Sequence, residues 1–249
     1  MADIVTERIT TAEGVGAYVA YPKGKKSPAV IVHFEIFGVN GHIENVCRRI
    51  AEAGYAALAP DYYHRLETRT APYSELNAAF ALAGTLKDDE IMADAASCIR
   101  YLRTQPFVEP EAIASLGFCM GGRLSALLAA AQPQYISAAV CFYGGGLANE
   151  QPMPGRTLNP LEEAAEIKAP LLLFYGDNDP FIKAEHVEKF TGRLTELGKN
   201  FQSKVYAGAS HGFFCDERPS YHAEAAQDAW KRTLEFLEAN LKRVHAASR

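Results

Sequence analysis

The sequence lacks the cysteine spacings that build a zinc site or a disulfide framework. Its 249 residues include five cysteines, at positions 47, 98, 119, 141 and 215, which are odd in number, widely scattered and never spaced C-x-x-C. This usage is typical of a reducing compartment, so we expect a cytoplasmic protein. Most of the five cysteines should be small buried hydrophobic residues. No metal ligation is expected from them.

An excess of positive charge is also lacking, since the sequence has 25 Lys and Arg residues and 30 Asp and Glu residues, which give a formal net charge of -5. A nucleic-acid-binding surface needs a basic patch, so a nucleic-acid partner is not expected. The N-terminal stretch MADIVTERITTAEG lacks the basic and apolar segments of a secretory signal. No apolar run is long enough to span a bilayer, so a membrane partner is not expected either.

Linkers are missing as well, because no Pro-, Gly- or Ser-rich segment and no shift of composition divides the chain. Residues 1–249 are therefore expected to form a single domain. Short apolar runs such as AVIVHF and APLLLFYG alternate with longer amphipathic segments such as KDDEIMADAASCIRYLRTQ, whose apolar residues follow a 3.6-residue period. This alternation predicts an α/β fold with a mostly parallel central sheet and helices on both faces.

Three parts of the chain depart from that alternation. Near the N-terminus, IVTERITT and GVGAYVAYP alternate more loosely and are expected to form an antiparallel pair that leads into the sheet. Residues 62–84 and residues 148–167 are polar or proline-rich and interrupt the pattern. Loops of this length are commonly lids, binding loops or insertions.

The stretch SLGFCMGG, residues 115–122, places a cysteine between glycines where an apolar strand passes into a helix. Gly117, Cys119 and Gly121 fit the G-x-S-x-G spacing of a nucleophile elbow, with sulfur in place of the serine oxygen. A free thiol with a pKa near ~8.5 supplies little thiolate at neutral pH, so such a nucleophile needs a base or a helix N-terminus beside it. Cys119 is therefore the candidate nucleophile.

Carboxylates and a histidine follow other apolar runs: Glu35 after VIVHF, Asp177 and Asp179 after LLLFYG, and His211 after KVYAGAS. Catalytic groups in open parallel sheets gather beyond the carboxyl ends of the strands, and the chain order Cys, Asp, His is that of α/β-hydrolases. His211 would act as the base, and a carboxylate would orient it. Asp177 and Asp179 compete for that role. The spacing after Gly176 favours Asp179 and leaves Asp177 as a turn residue.

Each of these residues also has an ordinary structural explanation when taken alone. A cysteine can be core filler, a histidine can be a satisfied polar group, and aspartates are common in turns. Their coincidence at strand ends, in this order and with the elbow glycines, is what favours a catalytic interpretation.

The motifs resemble the dienelactone hydrolase (carboxymethylenebutenolidase) family over residues 17 to 241. EIFGVN, GFCMGG, FYGGGL, GDNDPFI and GASHGF are each similar to a sequence block of that family. The resemblance implies the α/β-hydrolase fold and a hydrolase that cleaves a small ester, lactone or thioester through an acyl-thioester intermediate. It implies a small-molecule substrate and no cofactor.

The resemblance also implies roles for particular residues. Cys119, His211 and Asp179 match the family's catalytic triad. Glu35 matches a glutamate that contacts the resting cysteine and helps to activate it when substrate arrives.

Four further positions match the family's oxyanion hole and pocket. The backbone N–H groups of Met120 and Ile36 match the oxyanion donors. Tyr143 and Phe37 match positions that contribute to the substrate pocket.

The substrate-binding arginines of the family are where this sequence departs from it. Family members that open dienelactone hold its carboxylate with arginines, one of them four residues after the catalytic histidine. Cys215 stands at that position here and supplies no charge. Small neutral esters or lactones should therefore be hydrolysed at least as well as dienelactone. Arg65, Arg69, Arg156 or Arg218 could still supply the cation from a loop.

Two functions of other classes stay open at this point. The chain could be a non-catalytic protein that binds a small ligand in the same pocket, or a redox sensor that uses Cys119. Turnover of an activated ester separates hydrolysis from both. The sequence does not determine the oligomeric state.

Overall fold

The computed structural model describes residues 3–149 and 155–247, with side chains described up to residue 241. Along the chain its strands and helices are β1 (Ile4–Thr10), β2 (Gly16–Pro22), β3 (Ser27–His33), α1 (Gly41–Glu52), β4 (Ala56–Pro60), α2 (Leu76–Ala83), α3 (Asp88–Thr104), β5 (Val108–Phe118), α4 (Met120–Ala131), β6 (Ile136–Phe142), α5 (Pro160–Glu163), β7 (Leu171–Gly176), α6 (Ala184–Glu196), β8 (Phe201–Tyr206) and α7 (Ala223–Ala247).

One eight-stranded sheet organises these elements, with the strand order β1-β2-β4-β3-β5-β6-β7-β8. β1 pairs with β2, and β2 with β4, in antiparallel fashion, whereas every later pairing in the order is parallel. β3 and β7 are buried along their whole length. Because successive strand residues point to opposite faces, both faces of the sheet are covered. The predicted α/β-hydrolase architecture is confirmed.

The predicted antiparallel pair near the N-terminus is also present, as β1 and β2. The two segments expected as long loops are not wholly irregular, since α2 lies in the first and the short α5 in the second. α2 was missed because the buried residues of LNAAFALA are only Ala79 and Ala83, which give no strong apolar period. Among the described helices, none is both long and apolar enough to cross a membrane.

The parallel strands bring the candidate site residues to one edge of the sheet. β3 ends before Glu35, β5 before Cys119, β7 before Asp179 and β8 before His211. Parallel strands share the direction of their carboxyl ends, so these four groups emerge on the same side of the sheet from adjacent or nearby strands.

Candidate active site

Cys119 occupies a sharp turn between β5 and α4. Its backbone has φ 56° and ψ -119°, a left-handed conformation that disfavours any residue with a side chain. A Cβ atom at Gly117 would lie 1.9 Å from the carbonyl oxygen of Gly121, and one at Gly121 would lie 2.3 Å from that of His33. The glycines on either side of Cys119 are therefore required for the turn to close.

This turn leaves the Cys119 thiol half-buried at the N-terminus of α4, while the other four cysteines are buried. The first N–H groups of a helix have no partner within the helix, and the helix dipole adds partial positive charge there. The Cys119 sulfur thus lies beside unpaired N–H donors. Cys141, by contrast, is fully buried, and burial raises the pKa of its thiol to about 12.

His211 and Asp179 form a hydrogen-bonded pair, with Nδ1 of the imidazole 2.8 Å from Oδ2 of the carboxylate. The other carboxylate oxygen, Oδ1, accepts the backbone N–H groups of Phe181 and Ile182 at 2.8 and 3.0 Å. Both side chains of the pair are buried. The carboxylate is thus fixed by its own loop, and it in turn fixes the imidazole ring.

The charge state of His211 is set by competing effects. Burial alone would lower the pKa of the imidazole, but the neighbouring Cys119 and Asp179 side chains raise it to about 10, each by its charge and by a hydrogen bond. The raised pKa of His211 therefore depends on its contact with Cys119 as well as on Asp179.

Asp177 has a different environment from Asp179. Its Oδ1 atom accepts the backbone N–H of Gly208 at 2.6 Å, which joins the loop after β7 to the loop after β8. Gly176 supports the same junction, since a Cβ there would lie 2.1 Å from the carbonyl oxygen of Ala209. Asp177 thus connects the loops after β7 and β8, and Asp179 is the aspartate that is hydrogen-bonded to His211.

Glu35 is buried behind the cavity and pairs with Arg218, whose Nη1 lies 2.9 Å from Oε1 of the carboxylate. Burial raises the pKa of Glu35, against the lowering influence of Arg218 and His211. The contact with the resting cysteine that the sequence resemblance implies stays a prediction, and the hydrogen bond that the structure gives Glu35 is the one from Arg218.

The two expected oxyanion donors lie on either side of Cys119. Met120 is the first residue of α4, and Ile36 follows Glu35 in the loop after β3. Both line the cavity together with Phe37. The Tyr63 hydroxyl donates to the Ile36 carbonyl at 3.0 Å, which holds this loop in place.

Tyr143 does not line the cavity as expected. It is fully buried, and its ring centroid lies 5.2 Å from that of His211. Its N–H donates to the carbonyl of Phe174 at 2.7 Å, and its φ of 38° turns the chain directly after β6. Tyr143 therefore packs behind the imidazole and supports it.

The cavity that contains Cys119 and His211 encloses about 840 Å³, counting the open space at its mouth. Sequence reasoning missed much of its wall. The residues not anticipated are Leu76, Phe80 and Ala83 of α2, Arg123 of α4, Gly145 and Gly146 after β6, and Phe181. Gly145, Gly146 and Phe181 lie within recognised motifs that pointed to other residues, whereas the three residues of α2 lie in a segment without a recognisable motif.

Three guanidinium groups belong to the cavity wall: Arg123, Arg156 and Arg218. Arg123 makes two hydrogen bonds of 2.8 Å to the buried carboxylate of Asp88, and Nη1 of Arg156 lies 3.6 Å from the same carboxylate. Nη2 of Arg156 donates to the sulfur of Met120 at 2.9 Å. Two cations thus share one anion, so this part of the wall is positively charged.

Cys215 does not line the cavity, but arginines from other segments supply the cations that the sequence left open. Of the arginines left open by the sequence, Arg156 and Arg218 line the cavity. Arg65 pairs instead with Asp94, and Arg69 with Asp61. Cys215 itself is buried.

No cluster of three or more His, Cys, Asp or Glu side chains in the described ranges is arranged to hold a metal ion. What the described groups can do is acyl-transfer chemistry. A strained cysteine at a helix N-terminus, a histidine held by a carboxylate and two candidate N–H donors converge on one cavity.

Comparison with known proteins places the chain in one family. The sequence model described as the dienelactone hydrolase family matches residues 15–241. A Synechocystis sp. protein named "Putative carboxymethylenebutenolidase" is 37% identical over 233 residues, which cover 92% of this chain and 93% of that protein. A Bradyrhizobium sp. protein named "Probable 2-oxo-3-(5-oxofuran-2-ylidene)propanoate lactonase" is 34% identical, with 93% of this chain and 92% of that protein covered.

A solved structure agrees with these relatives. The crystal structure titled "Putative Dienelactone Hydrolase" from Klebsiella pneumoniae superposes with a TM-score of 0.84 and 33% sequence identity. The superposition covers 94% of this chain and 98% of that one. The likeness therefore extends over the sheet, its helices and the loops that carry the site.

Proposed function

Since the chain belongs to the dienelactone hydrolase family and is thus an ester or lactone hydrolase, we propose that Cys119 is its nucleophile, with His211 as base and Asp179 as the acid that orients it. The observation that carries this proposal is the convergence of three groups from separate loops on one cavity. Cys119 lies at the strained elbow and lines the cavity together with His211, which is 2.8 Å from Asp179.

The reaction begins with attack of the Cys119 thiolate on the carbonyl carbon of the substrate. The carbonyl π electrons move onto oxygen, and the N–H groups of Met120 and Ile36 stabilise the negative charge. Collapse of this intermediate breaks the bond to the alcohol oxygen, which takes a proton from the His211 imidazolium. The acyl group is then held as a thioester on Cys119.

Hydrolysis of the thioester uses the same groups in reverse order. Neutral His211 takes a proton from water, and the hydroxide attacks the thioester carbonyl. The acid product leaves, and the thiolate–imidazolium pair is restored. Asp179 keeps Nδ1 protonated throughout, so that Nε2 is the nitrogen that exchanges protons.

Small activated esters and lactones are the substrates that we propose, with neutral ones hydrolysed at least as well as acidic ones. Cys215 supplies no charge at the position four residues after His211, and Arg218 is already engaged by Glu35, so a substrate carboxylate has to compete with a buried protein carboxylate for that cation. A comparison of kcat/KM for dienelactone and for an uncharged lactone of similar size tests this point. A strong preference for dienelactone that is lost in Arg156→Met or Arg218→Met would contradict it.

The nucleophile is tested with p-nitrophenyl acetate and a panel of lactones and thioesters. Cys119→Ala should abolish turnover, Cys119→Ser should retain only a trace, and Cys98→Ala, a buried cysteine in α3, should behave like the unmodified protein. Rapid acid quenching followed by mass spectrometry should detect the acetyl group on the peptide that contains Cys119. Undiminished hydrolysis by Cys119→Ala would refute the assignment, and a complete lack of turnover would favour a binding or redox role.

A further inference from the structure

Large apolar side chains surround the mouth of the catalytic cavity. Leu76, Phe80 and Phe181 all line it, yet they are 42%, 45% and 44% exposed. Among the described residues, the other large apolar side chains with comparable exposure are Val205 and Tyr221, which lie outside the cavity. Exposed apolar surface is therefore concentrated where substrate must enter.

One side of the mouth is formed by α2, whose sequence LNAAFALA contains no charged residue. Leu76, Phe80 and Ala83 are spaced i, i+4 and i+7 and so share one face of the helix. All three line the cavity. The buried residues of α2 are Ala79 and Ala83. The half-buried Leu82 also packs against the core, and Leu76 and Phe80 are the large side chains that the helix presents at the mouth.

Phe181 also lines the cavity, on the loop that carries Asp179. Its N–H donates to Oδ1 of Asp179 at 2.8 Å. Its ring meets the His211 ring edge-on, with centroids 5.1 Å apart and an interplanar angle of 81°. Phe181 is thus held against the proposed catalytic pair, while almost half of its surface faces solvent.

We propose that the substrate carries an apolar arm, an alkyl chain or an aromatic ring, which lies across the mouth between α2 and Phe181. The proposal rests on the proposed hydrolase function and adds a substrate class to it. Removal of apolar surface from water is the driving force, and these three side chains supply that surface beside Cys119. Leu76 and Phe80 are separated by a rise of about 6 Å along the helix, so an arm of about five carbons would contact both.

Continuity with the site favours a substrate arm over a protein partner. The same cavity wall contains the three rim residues, Cys119 and His211. A partner seated on α2 would cover the entrance, whereas a substrate arm would use the apolar surface on both sides of it.

Two ester series test the proposal because the arm can belong to either half of the substrate. The first holds p-nitrophenol constant and lengthens the acyl group from acetate through butyrate and hexanoate to octanoate, all below micellar concentrations. The second holds acetate constant and lengthens the alkyl group of a 4-alkylphenol. In at least one series kcat/KM should rise by about twofold per methylene, as expected for partial burial, and level off near six carbons.

Rim variants then locate the arm. Leu76→Ala, Phe80→Ala and Phe181→Ala should each flatten the dependence on chain length, measured as the ratio of kcat/KM for the long ester to that for the short one. This ratio cancels any general loss of catalysis. Val205→Ala on β8, 47% exposed in the unmodified protein and remote from the cavity, should leave the ratio unchanged.

The results that would refute the apolar arm differ from those that would refute the hydrolase function. If the acetate is hydrolysed but neither series rises with chain length, the apolar arm is refuted while the hydrolase function stands. A rise that all three rim variants leave intact refutes it as well. A dimer that dissociates in Phe80→Ala, without any chain-length dependence, would assign the patch to a second copy of the chain. Absence of turnover with every ester refutes the proposed function and the arm with it.

Discussion

Arg218 and Glu35 meet behind the cavity although 183 positions separate them in the sequence, and their charged groups lie 2.9 Å apart. Only 2% of the Glu35 side chain and 18% of the Arg218 side chain are exposed. The pair ties the loop after β3, which carries Ile36, to the loop after β8, which carries His211. Each charged group therefore compensates the cost of removing the other from water.

Loss of either partner alone should destabilise the protein more than loss of both. Arg218→Met leaves a buried, uncompensated carboxylate and should lower the free energy of unfolding by about 3 kcal/mol, whereas Arg218→Met combined with Glu35→Gln should recover most of that loss. Urea denaturation of the two single variants and the double variant measures the coupling. Additive effects in this cycle would show that the pair contributes nothing beyond its separate residues.

The destabilisation by Arg218→Met should depend on pH in a defined direction. Burial already raises the pKa of Glu35, and removal of Arg218 removes the strongest lowering influence. A carboxyl with a raised folded-state pKa binds more protons in the folded than in the unfolded state, so stability falls as pH rises from near its ordinary pKa. The deficit of the variant should therefore be smaller at pH 5 than at pH 8. A deficit that is equal at both values would contradict this account.

The charge state of His211 should depend on Cys119. The pKa of His211 is raised to about 10 by Cys119 and Asp179 against the effect of burial. Cys119→Ala removes the sulfur that contributes to this shift and should lower the imidazole pKa by about 1 to 3, since Asp179 is then the main group that opposes burial. Titration of the His211 ring resonances by NMR measures the change, with Cys98→Ala as the control. An unaltered pKa in Cys119→Ala would argue against a thiolate–imidazolium pair.

The two aspartates of GDNDP should differ in their contribution to catalysis. Asp179→Asn places an amide opposite Nδ1 of His211 and should lower kcat by about 10³- to 10⁴-fold, because the imidazolium loses its counter-charge and its fixed tautomer. Asp177→Asn alters the hydrogen bond from the Gly208 N–H and should lower kcat by less than about tenfold. Its main effect should be on thermal stability. The measurement is kcat for one activated ester in both variants. The reverse ranking would overturn the assignment of Asp179.

Much of this organisation could be predicted from local sequence. The apolar runs and amphipathic segments correspond to the strands and helices of a mostly parallel sheet, and strand-end positions identify Cys119, Asp179 and His211 as residues that converge. Their motifs are local because an elbow or a turn is specified by residues adjacent in sequence, as Gly117 and Gly121 illustrate.

The remainder depends on contacts that no local pattern encodes. The Glu35–Arg218 pair joins two distant loops, and Arg156 reaches the cavity from a segment without a recognisable motif. In α2 the large side chains of Leu76 and Phe80 face the cavity, whereas Leu82 and the buried alanines face the core, so the apolar pattern of LNAAFALA does not tell which face is which. Such features arise when loops that are distant in sequence pack together at the edge of the sheet. The spacing of residues along the chain does not specify that packing.

Gly121, two residues after Cys119, provides a final test. Comparison with Gly192 separates the effect of close backbone packing from that of helix propensity. Gly121 lies in the first turn of α4, where a methyl group would meet the carbonyl oxygens of His33 and Phe34 at 2.3 and 2.5 Å. Gly192 lies within α6, where an added Cβ meets nothing within 4 Å. Helix propensity alone favours alanine over glycine by about 1 kcal/mol.

Gly192→Ala should therefore stabilise the protein by roughly that amount of about 1 kcal/mol, without a change in ester hydrolysis. Gly121→Ala should be destabilising despite the same gain in propensity, because α4 has to move away from β3 to relieve the overlap. That shift carries Cys119 with it and should lower kcat by at least about a hundredfold, since displacement of a reacting group by about 1 Å has such an effect. Thermal denaturation and ester hydrolysis of the two variants provide the comparison. If Gly121→Ala were as stable and as active as Gly192→Ala, the close approach of α4 to β3 would not be what positions the nucleophile.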